Sequence, residues 1–327
     1  MPMKCLITGG AGFIGSHLAQ ELIAAGNQVT VFDNMSTGSR ENLRGIIGNP
    51  LFELIEGDLL DIPMLEAAIA GCDEIYHLAA MVGVTLILER PLDAMRTNLE
   101  GTTALLGLAA ARGRPVLLAS SSEVYGHATR EPLAEDDPRM YGSTATFRWA
   151  YAGAKAMGES LALAYHQWER LPAVVARLFN VAGPRQSTNG GMVIPSFVAQ
   201  ALRGAPITVY GTGGQTRCFS HVLDVARGMI LLLRSPEAHG EIFNIGGHET
   251  ITMARLAVRV KELAGSNSPI AFIPYRDAYP DGFEEIMGRV PDLRRIERAI
   301  GYRPTLGLDT IIRQVIEHTR AGMPTMA

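Results

Sequence analysis

Cysteine is scarce in this chain, and what there is carries no pattern. The 327 residues hold three, Cys5, Cys72 and Cys218, an odd and scattered set. That spacing excludes a disulfide framework and a thiolate metal centre, and leaves reduced thiols in or near a core. His77, His127 and His221 lack paired spacing as well, so no metal is expected and the three read as ordinary polar residues. Charge of one sign is also missing: a formal net charge of −4 gives no basic surface for nucleic acid and no pull towards an anionic membrane. No apolar run is long enough to span a bilayer, and there are no long low-complexity tracts or obvious repeats. The first residues lead straight into a strand pattern, as expected of a cytoplasmic chain without a secretory leader. What is present is bulk: 47% hydrophobic residues over 327 positions, more than one small domain needs.

The order of elements at the N-terminus is specific. Lys4 to Thr8 is a short strand pattern, Gly9, Gly12 and Gly15 follow at once, and Ser16 to Ala25 has apolar residues at helical spacing. Val29 to Phe32 is the next strand and ends at Asp33. Strand, glycine turn, helix, strand and acid, in that order, make a dinucleotide-binding unit. Gly9 allows the tight turn, Gly12 lets backbone approach a pyrophosphate, and Gly15 lets the helix pack on the strand. The helix N-terminus, with Phe13 and Ile14, then faces the phosphates. Asp33, with Asn34 beside it, would take the adenosine ribose hydroxyls and repel a 2′-phosphate, which favours NAD over NADP.

Strands and helices then keep alternating. Phe52 to Ile55 precedes Asp58 and Leu59, where an acid sits beside an adenine edge or caps the next helix. Glu74 to Leu78 ends in Ala79 and Ala80, small residues that let a cofactor pass closely. A helix is expected from Leu92 to Ala111, carrying Asn98 as a further cofactor contact. Val116 to Ser120 runs into Ser121, Ser122 and Glu123, polar residues at a strand's carboxyl end, where open α/β sheets bind ligands. Ala173 to Phe179 is another buried-strand pattern. After Asn180 come a loop-rich stretch around Gly183–Gln186 and Asn189–Gly191, a helix near Ile194–Arg203, and the strand Ile207–Tyr210. A last helix is expected to run through Ile311. The expected fold is a Rossmann-type doubly wound parallel sheet with a smaller, discontinuous C-terminal α/β lobe. Residues 1–180 form the dinucleotide-binding domain, with a return near 218–247; 181–217 and 248–327 form the substrate lobe that closes over the crevice.

Tyr151 and Lys155 lie four apart, hence on one helix face, in Trp149-Ala-Tyr-Ala-Gly-Ala-Lys155. A tyrosine hydroxyl is neutral at pH 7, and a nearby ammonium favours its phenolate. Such a pair takes a proton from an alcohol while a hydride leaves the same carbon. The spacing alone is equally that of a solvated helix face; the glycine unit and Ser121 give it meaning.

Thr8-Gly-Gly-Ala-Gly-Phe-Ile-Gly15, Asp33, Asp58, Ser121, Tyr151 and Lys155 resemble the extended short-chain dehydrogenase/reductase family of nucleotide-sugar epimerases, dehydratases and decarboxylases. Within it, five stretches resemble the UDP-glucuronic acid decarboxylases: Ser121–Gly126, Arg148–Lys155, Phe179–Arg185, Gln215–Phe219 and Arg289–Asp292. Pro280 and the run Tyr141–Phe147 depart from that pattern. The resemblance implies a substrate oxidised at C4 by NAD, with Tyr151 as base, Lys155 lowering its proton affinity, and Ser121 or Ser122 polarising the same oxygen. It implies Glu123 and Arg289 in the later chemistry, Glu123 at C5 and Arg289 on the carboxylate or diphosphate. Arg185 and Arg217 would serve the diphosphate, with Asn180, Val193 and Tyr210 as further substrate contacts. Read plainly, Glu123 is a helix cap or an arginine partner, and Arg289 a surface ion pair with Asp292 or Glu285. The leading expectation is decarboxylation of UDP-glucuronic acid to a UDP-pentose or UDP-4-keto-pentose. The alternatives are 4-epimerisation of UDP-glucose or UDP-glucuronate, then 4,6-dehydration; a non-catalytic NAD(H) sensor fits poorly, because the tyrosine and lysine are both kept. A homodimer through apolar positions along Leu99–Leu108 and Leu161–Tyr165 is also expected.

Overall fold

Apolar, β-branched runs become central strands here, and the glycine- and asparagine-rich stretches between them become the turns that carry the site. A computed structural model describes residues 2–83, 87, 89–127, 130–144, 146, 148–188, 192–278 and 286–323. Asn189–Gly191, Pro280–Gly282, Glu285 and Phe147 therefore lie outside the described residues. The first half alternates β1 (Lys4–Thr8), α1 (Phe13–Ala24), β2 (Gln28–Asp33), β3 (Phe52–Glu56), α2 (Ile62–Ala70) and β4 (Glu74–His77). Next come α3 (Pro91–Met95), α4 (Thr102–Ala111), β5 (Val116–Ser121), α5 (Arg148–Glu169) and β6 (Ala173–Leu178). The second half holds β7 (Val181–Ala182), α6 (Val193–Leu202), β8 (Ile207–Tyr210), β9 (Thr216–Cys218), β10 (Ser220–His221), α7 (Val222–Leu233) and β11 (Ile242–Ile245). It ends with β12 (Thr250–Thr252), α8 (Met253–Ala264), β13 (Ile270–Ile273), α9 (Tyr275–Ala278), β14 (Gly288–Arg289), α10 (Arg294–Ile300) and α11 (Leu308–Ala321).

Seven parallel strands form one sheet in the order β11-β6-β5-β4-β1-β2-β3. Parallel strands buried on both faces read as continuous apolar runs, which is why Cys5 to Ile7 and Val174 to Ala176 are almost wholly hidden. Leu18 and Leu22 of α1 and Val225 and Met229 of α7 cover one face. Leu65 of α2, Leu105 of α4 and Ala162 of α5 cover the other. A second core gathers Phe197, Leu256 and Ile312 from α6, α8 and α11, while Ile296 and Tyr302 return to the sheet's own core. The strand order reverses between β1 and β4, so the crevice at their carboxyl ends is a topological switch point.

Two helices differ from expectation. The helix expected from Leu92 to Ala111 opens into a wider turn over Arg96–Gly101. There Asn98 turns its side chain inward to backbone, and Gly101 packs where a Cβ would stand 2.8 Å from Leu59. The final helix continues past Ile311 to Ala321, because Ile312, Val315 and Ile316 keep an apolar face on the second core. Among the described residues no helix is long and apolar enough to cross a membrane.

Candidate active site

The glycine turn is tighter than a dinucleotide motif alone requires. Gly9 has φ +71°, and a Cβ there would lie 2.6 Å from the Ala79 nitrogen, so the turn rests directly on the end of β4. A Cβ on Gly15 would lie 2.4 Å from the Gly9 carbonyl oxygen. Gly12 begins α1 without a side-chain cap, so the first-turn N–H groups are left for a ligand. Asp33 is buried; its Oδ2 accepts the Ala11 N–H at 2.9 Å and its Oδ1 the Met35 N–H at 2.9 Å. Burial raises its carboxyl pKa, against the pull of those two hydrogen bonds. Each oxygen keeps a lone pair for a ribose hydroxyl, so the turn, the uncapped helix and the acid fit NAD. Asn34 donates to Asp58 Oδ2 at 2.8 Å, and Asp58 Oδ1 accepts the Leu60 N–H. The cap of α2 is Asp61, not Asp58, because it is Asp61 that accepts the Met64 N–H.

The Asn98 amide is spent on backbone. The residue is buried, and the amide pairs with both backbone groups of Met81, at 2.8 and 3.0 Å. It therefore holds the chain just beyond Ala79 and Ala80, acting on that wall of the crevice from behind. His77 is more than an ordinary polar residue. The Thr102 hydroxyl donates to the Asn98 carbonyl, so it accepts from His77 Nε2–H at 3.0 Å, and Nδ1 accepts the Thr8 hydroxyl at 2.7 Å. Burial, helped by the charge of Lys155, pushes the His77 imidazole down to about 3 and keeps this link neutral.

Tyr151 projects from the first turns of α5 towards Ser121 at the end of β5. Ser121 Oγ accepts the Glu123 N–H at 3.2 Å, which leaves its own proton for the Tyr151 oxygen, to which it is hydrogen-bonded. Burial raises the Tyr151 hydroxyl above its ordinary value; Ser121 and the Arg289 charge pull it back, and Glu123 opposes them. Lys155 follows one helical turn later, and its Nζ donates to the Ala119 carbonyl at 2.8 Å. Burial lowers the Lys155 ammonium to about 8, while the carboxylate of Glu159 resists that fall.

Glu123 and Arg289 meet. The Arg289 NH1 group stands 2.6 Å from Glu123 Oε1, with side chains 12% and 15% exposed. Arg289 NH1 also reaches Ser122 Oγ at 3.5 Å, and its Nε is buried without a hydrogen-bond partner. Asp292, the surface partner first considered for Arg289, is held by Arg294 instead. Strand pairing puts Arg289 directly beside Arg217. Arg217 spends NH1 on the carbonyls of Thr216 and Met287.

These residues line one cleft of about 410 Å³, between the carboxyl ends of the sheet and the second core. Tyr151, Ser121, Glu123 and Arg289 line it together with Asn180, Val193, Tyr210 and Arg217. Asn180 has φ +35° and gives one amide hydrogen to the Cys218 carbonyl. Arg185 is elsewhere: it donates to His17 Nε2 and Gln20 Oε1 of α1 and to the Asn42 carbonyl of the 3-10 turn Arg40–Leu43. The resemblance implies a diphosphate ligand for Arg185, but its side chain is engaged by these three groups and is not part of the cleft lining. Gln186 was overlooked. Its Nε2 donates to the Val181 carbonyl at 3.0 Å, and its Oε1 is buried beside the cleft without a partner. Glu159, Arg177 and Asn244 were overlooked as well, although a charged or amide residue inside the runs Ala173–Leu178 and Ile242–Ile245 is a visible signal. Glu159 accepts from Ser120 Oγ at 2.5 Å and from two nitrogens of Arg177 at 2.9 and 2.8 Å, just behind Ser121.

The sequence model of the NAD dependent epimerase/dehydratase family matches residues 5–246. The chain is 38% identical over 321 residues to a UDP-N-acetyl-alpha-D-glucosaminuronate decarboxylase of Bacillus cytotoxicus, covering 98% of both chains. It is 35% identical to UDP-glucuronic acid decarboxylase 1 of Xenopus tropicalis, over 99% of this chain and 74% of that one. Among solved structures, a UDP-glucose 4-epimerase of Thermus thermophilus in complex with NAD superposes with a TM-score of 0.86 at 31% identity, covering 98% of this chain and 100% of that one.

Proposed function

Because this chain belongs to the NAD dependent epimerase/dehydratase family, we propose that it decarboxylates a UDP-linked hexuronate through a 4-keto sugar. NAD, held by the glycine turn, the N-terminus of α1 and Asp33, supplies the acceptor for the hydride on C4. Tyr151 takes the proton of the 4-hydroxyl, and Ser121, already hydrogen-bonded to Tyr151, holds the same oxygen. Lys155 stabilises this end of α5 through the Ala119 carbonyl and keeps a positive charge near the developing anion. Oxidation at C4 makes the C6 carboxylate that of a β-keto acid. The C5–C6 bond then breaks, carbon dioxide leaves, and the electron pair spreads onto O4, where the Tyr151 and Ser121 hydroxyls receive it. Glu123 delivers a proton to C5 or directs one there.

The observation that carries this reading is the Glu123–Arg289 pair with its spare Nε. A guanidinium that holds one carboxylate and keeps a buried unused donor is suited to a second carboxylate, that of the substrate. Asn180, Val193, Tyr210 and Arg217 would hold the nucleotide and diphosphate, and Gln186 would accept a hydroxyl or amide hydrogen of the substrate. We place the nucleotide-sugar lobe in residues 181–217 and 248–327, closing on the 1–180 domain in a cytoplasmic enzyme. For the proposed homodimer, Leu105 and Leu106 are spent on the sheet, whereas Leu92, Met95, Met157 and Trp168 expose apolar surface on the neighbouring α3 and α5.

Incubation with NAD and either UDP-glucuronate or its 2-acetamido counterpart, with products read by mass spectrometry, tests the proposal. A UDP-pentose or UDP-4-keto-pentose, or its 2-acetamido form, is expected. A six-carbon UDP-uronate inverted at C4 as the sole product would replace decarboxylation with 4-epimerisation and remove the role given to Glu123.

A further inference from the structure

An amide is out of place in the middle of a buried strand, yet Asn244 of β11 is fully hidden between Phe243 and Ile245. Its Oδ1 accepts the Tyr125 hydroxyl at 2.7 Å. Its Nδ2 donates to the carbonyls of Leu133 at 2.9 Å and Asp292 at 3.3 Å. Its backbone N–H, on the outer edge of the sheet, donates to Glu135 Oε1 at 2.9 Å. The amide has one orientation, since the reverse would set its oxygen against two carbonyl oxygens.

Both ends of this clamp lead to the Glu123–Arg289 pair. Tyr125 stands on the same single 3-10 turn, Ser122–Tyr125, as Glu123. Asp292 lies three residues beyond Arg289, and Leu133 locks that segment on both sides: its N–H donates to Val290 at 2.7 Å and its carbonyl accepts from Asp292 at 2.8 Å. Arg177 lies 4.7 Å above the Tyr125 ring and donates to the Glu135 carbonyl, closing the network from behind. Tyr151 and Lys155 stand on α5, where Lys155 is held by the Ala119 carbonyl; of the oxidising groups only Ser121, which caps the Glu123 turn, shares a contact with it.

We propose that Asn244 is a positioning residue that sets Glu123 and Arg289 at the separation needed for loss of the carboxylate carbon, without touching substrate. The assignment rests on the decarboxylase reading above. Because the clamp bears most directly on Glu123 and Arg289, its loss slows C5–C6 cleavage more than oxidation at C4, and the six-carbon 4-keto uronate accumulates.

Two variants of the full chain test this with NAD and whichever of UDP-glucuronate and its 2-acetamido counterpart the wild type converts. Tyr125→Phe deletes one hydroxyl, and Asn244→Asp keeps the acceptor for Tyr125 but turns the donor into an oxygen facing two carbonyls. Wild-type protein that releases no carbon dioxide from either UDP-uronate defeats the decarboxylase reading itself, and the assignment of Asn244 with it. Given wild-type release, carbon dioxide per six-carbon 4-keto uronate should fall about tenfold in Tyr125→Phe, the scale of one lost hydrogen bond. The double variant should be no worse than Asn244→Asp, since both act through one clamp. An unchanged ratio, or oxidation and release falling in equal proportion, overturns the inference. If Asn244→Asp does not fold, the ratio in Tyr125→Phe decides alone.

Discussion

Glu159→Gln is the most informative single perturbation, because it keeps shape and removes one charge from the space behind the catalytic strand. Glu159 and Arg177 have side chains 1% and 2% exposed, and their contact is a two-pronged fork. Removing one member of a buried ion pair costs about 3–5 kcal/mol, because the other charge stays buried without its counter-ion. Arg177 keeps its bond to the Glu135 carbonyl and its place over Tyr125, so the lower end of that range is expected. Glu159 also supports the charge on Lys155, one helical turn away, whose ammonium burial lowers to about 8. Loss of that carboxylate lowers it further. A group that must be protonated to act loses its effect as pH rises through its pKa, so the alkaline fall in kcat/KM should move to lower pH in the variant. Chemical unfolding gives the first quantity, and kcat/KM over roughly pH 6 to 10 gives the second. A variant within about 1 kcal/mol of wild type would show that the pair is not an isolated buried charge pair. An unmoved alkaline limb would show that Lys155 does not feel Glu159.

Three further outcomes follow from the same geometry. Burial pushes His17 and His77 each down to about 3, whereas the unfolded chain takes up those protons near 6.5, so the folded state loses stability as pH falls from about 6.5 towards 3. His17→Asn should remove about one proton from the slope of unfolding free energy against pH, and an unchanged slope contradicts neutral burial. Gln186→Met deletes the unpartnered acceptor beside the cleft and should raise KM for the nucleotide sugar by roughly three- to tenfold with kcat little changed; an unaltered KM shows that no substrate donor reaches it. Arg185→Leu should lower the melting temperature through about 1–3 kcal/mol of lost bonds to α1 and Asn42 and leave KM unchanged; a large rise in KM would return Arg185 to the cleft.

The parts legible in the sequence were those set by local pattern. Gly9, Gly12, Gly15 and Asp33 are spaced by a turn, a helix and a strand, so their meeting follows from chain geometry, and Tyr151 and Lys155 are joined by one helical turn. Ser121 follows from a strand's carboxyl end. Contacts made across the fold were not legible. Arg185 sits in a motif, yet its side chain is engaged by Gln20 and His17, 165 and 168 positions away in sequence. Asn98 reads as part of one helix from Leu92 to Ala111, but a widened turn aims it at Met81. Asn244 joins Tyr125, 119 positions distant, to Leu133, 111 positions distant, and only the folded chain shows why an amide interrupts that strand.

The central claim is that one cleft oxidises a sugar at C4 and, by that oxidation, removes its carboxylate. UDP-glucuronate and its 2-acetamido counterpart, each labelled with carbon-13 at C6, test it directly in wild type and in Tyr151→Phe. Wild type should convert the label of at least one of them into carbon dioxide, one equivalent per UDP-pentose or UDP-4-keto-pentose formed, and Tyr151→Phe should release almost none. Label retained in a six-carbon UDP-sugar by wild type, or full release by Tyr151→Phe, would contradict the account.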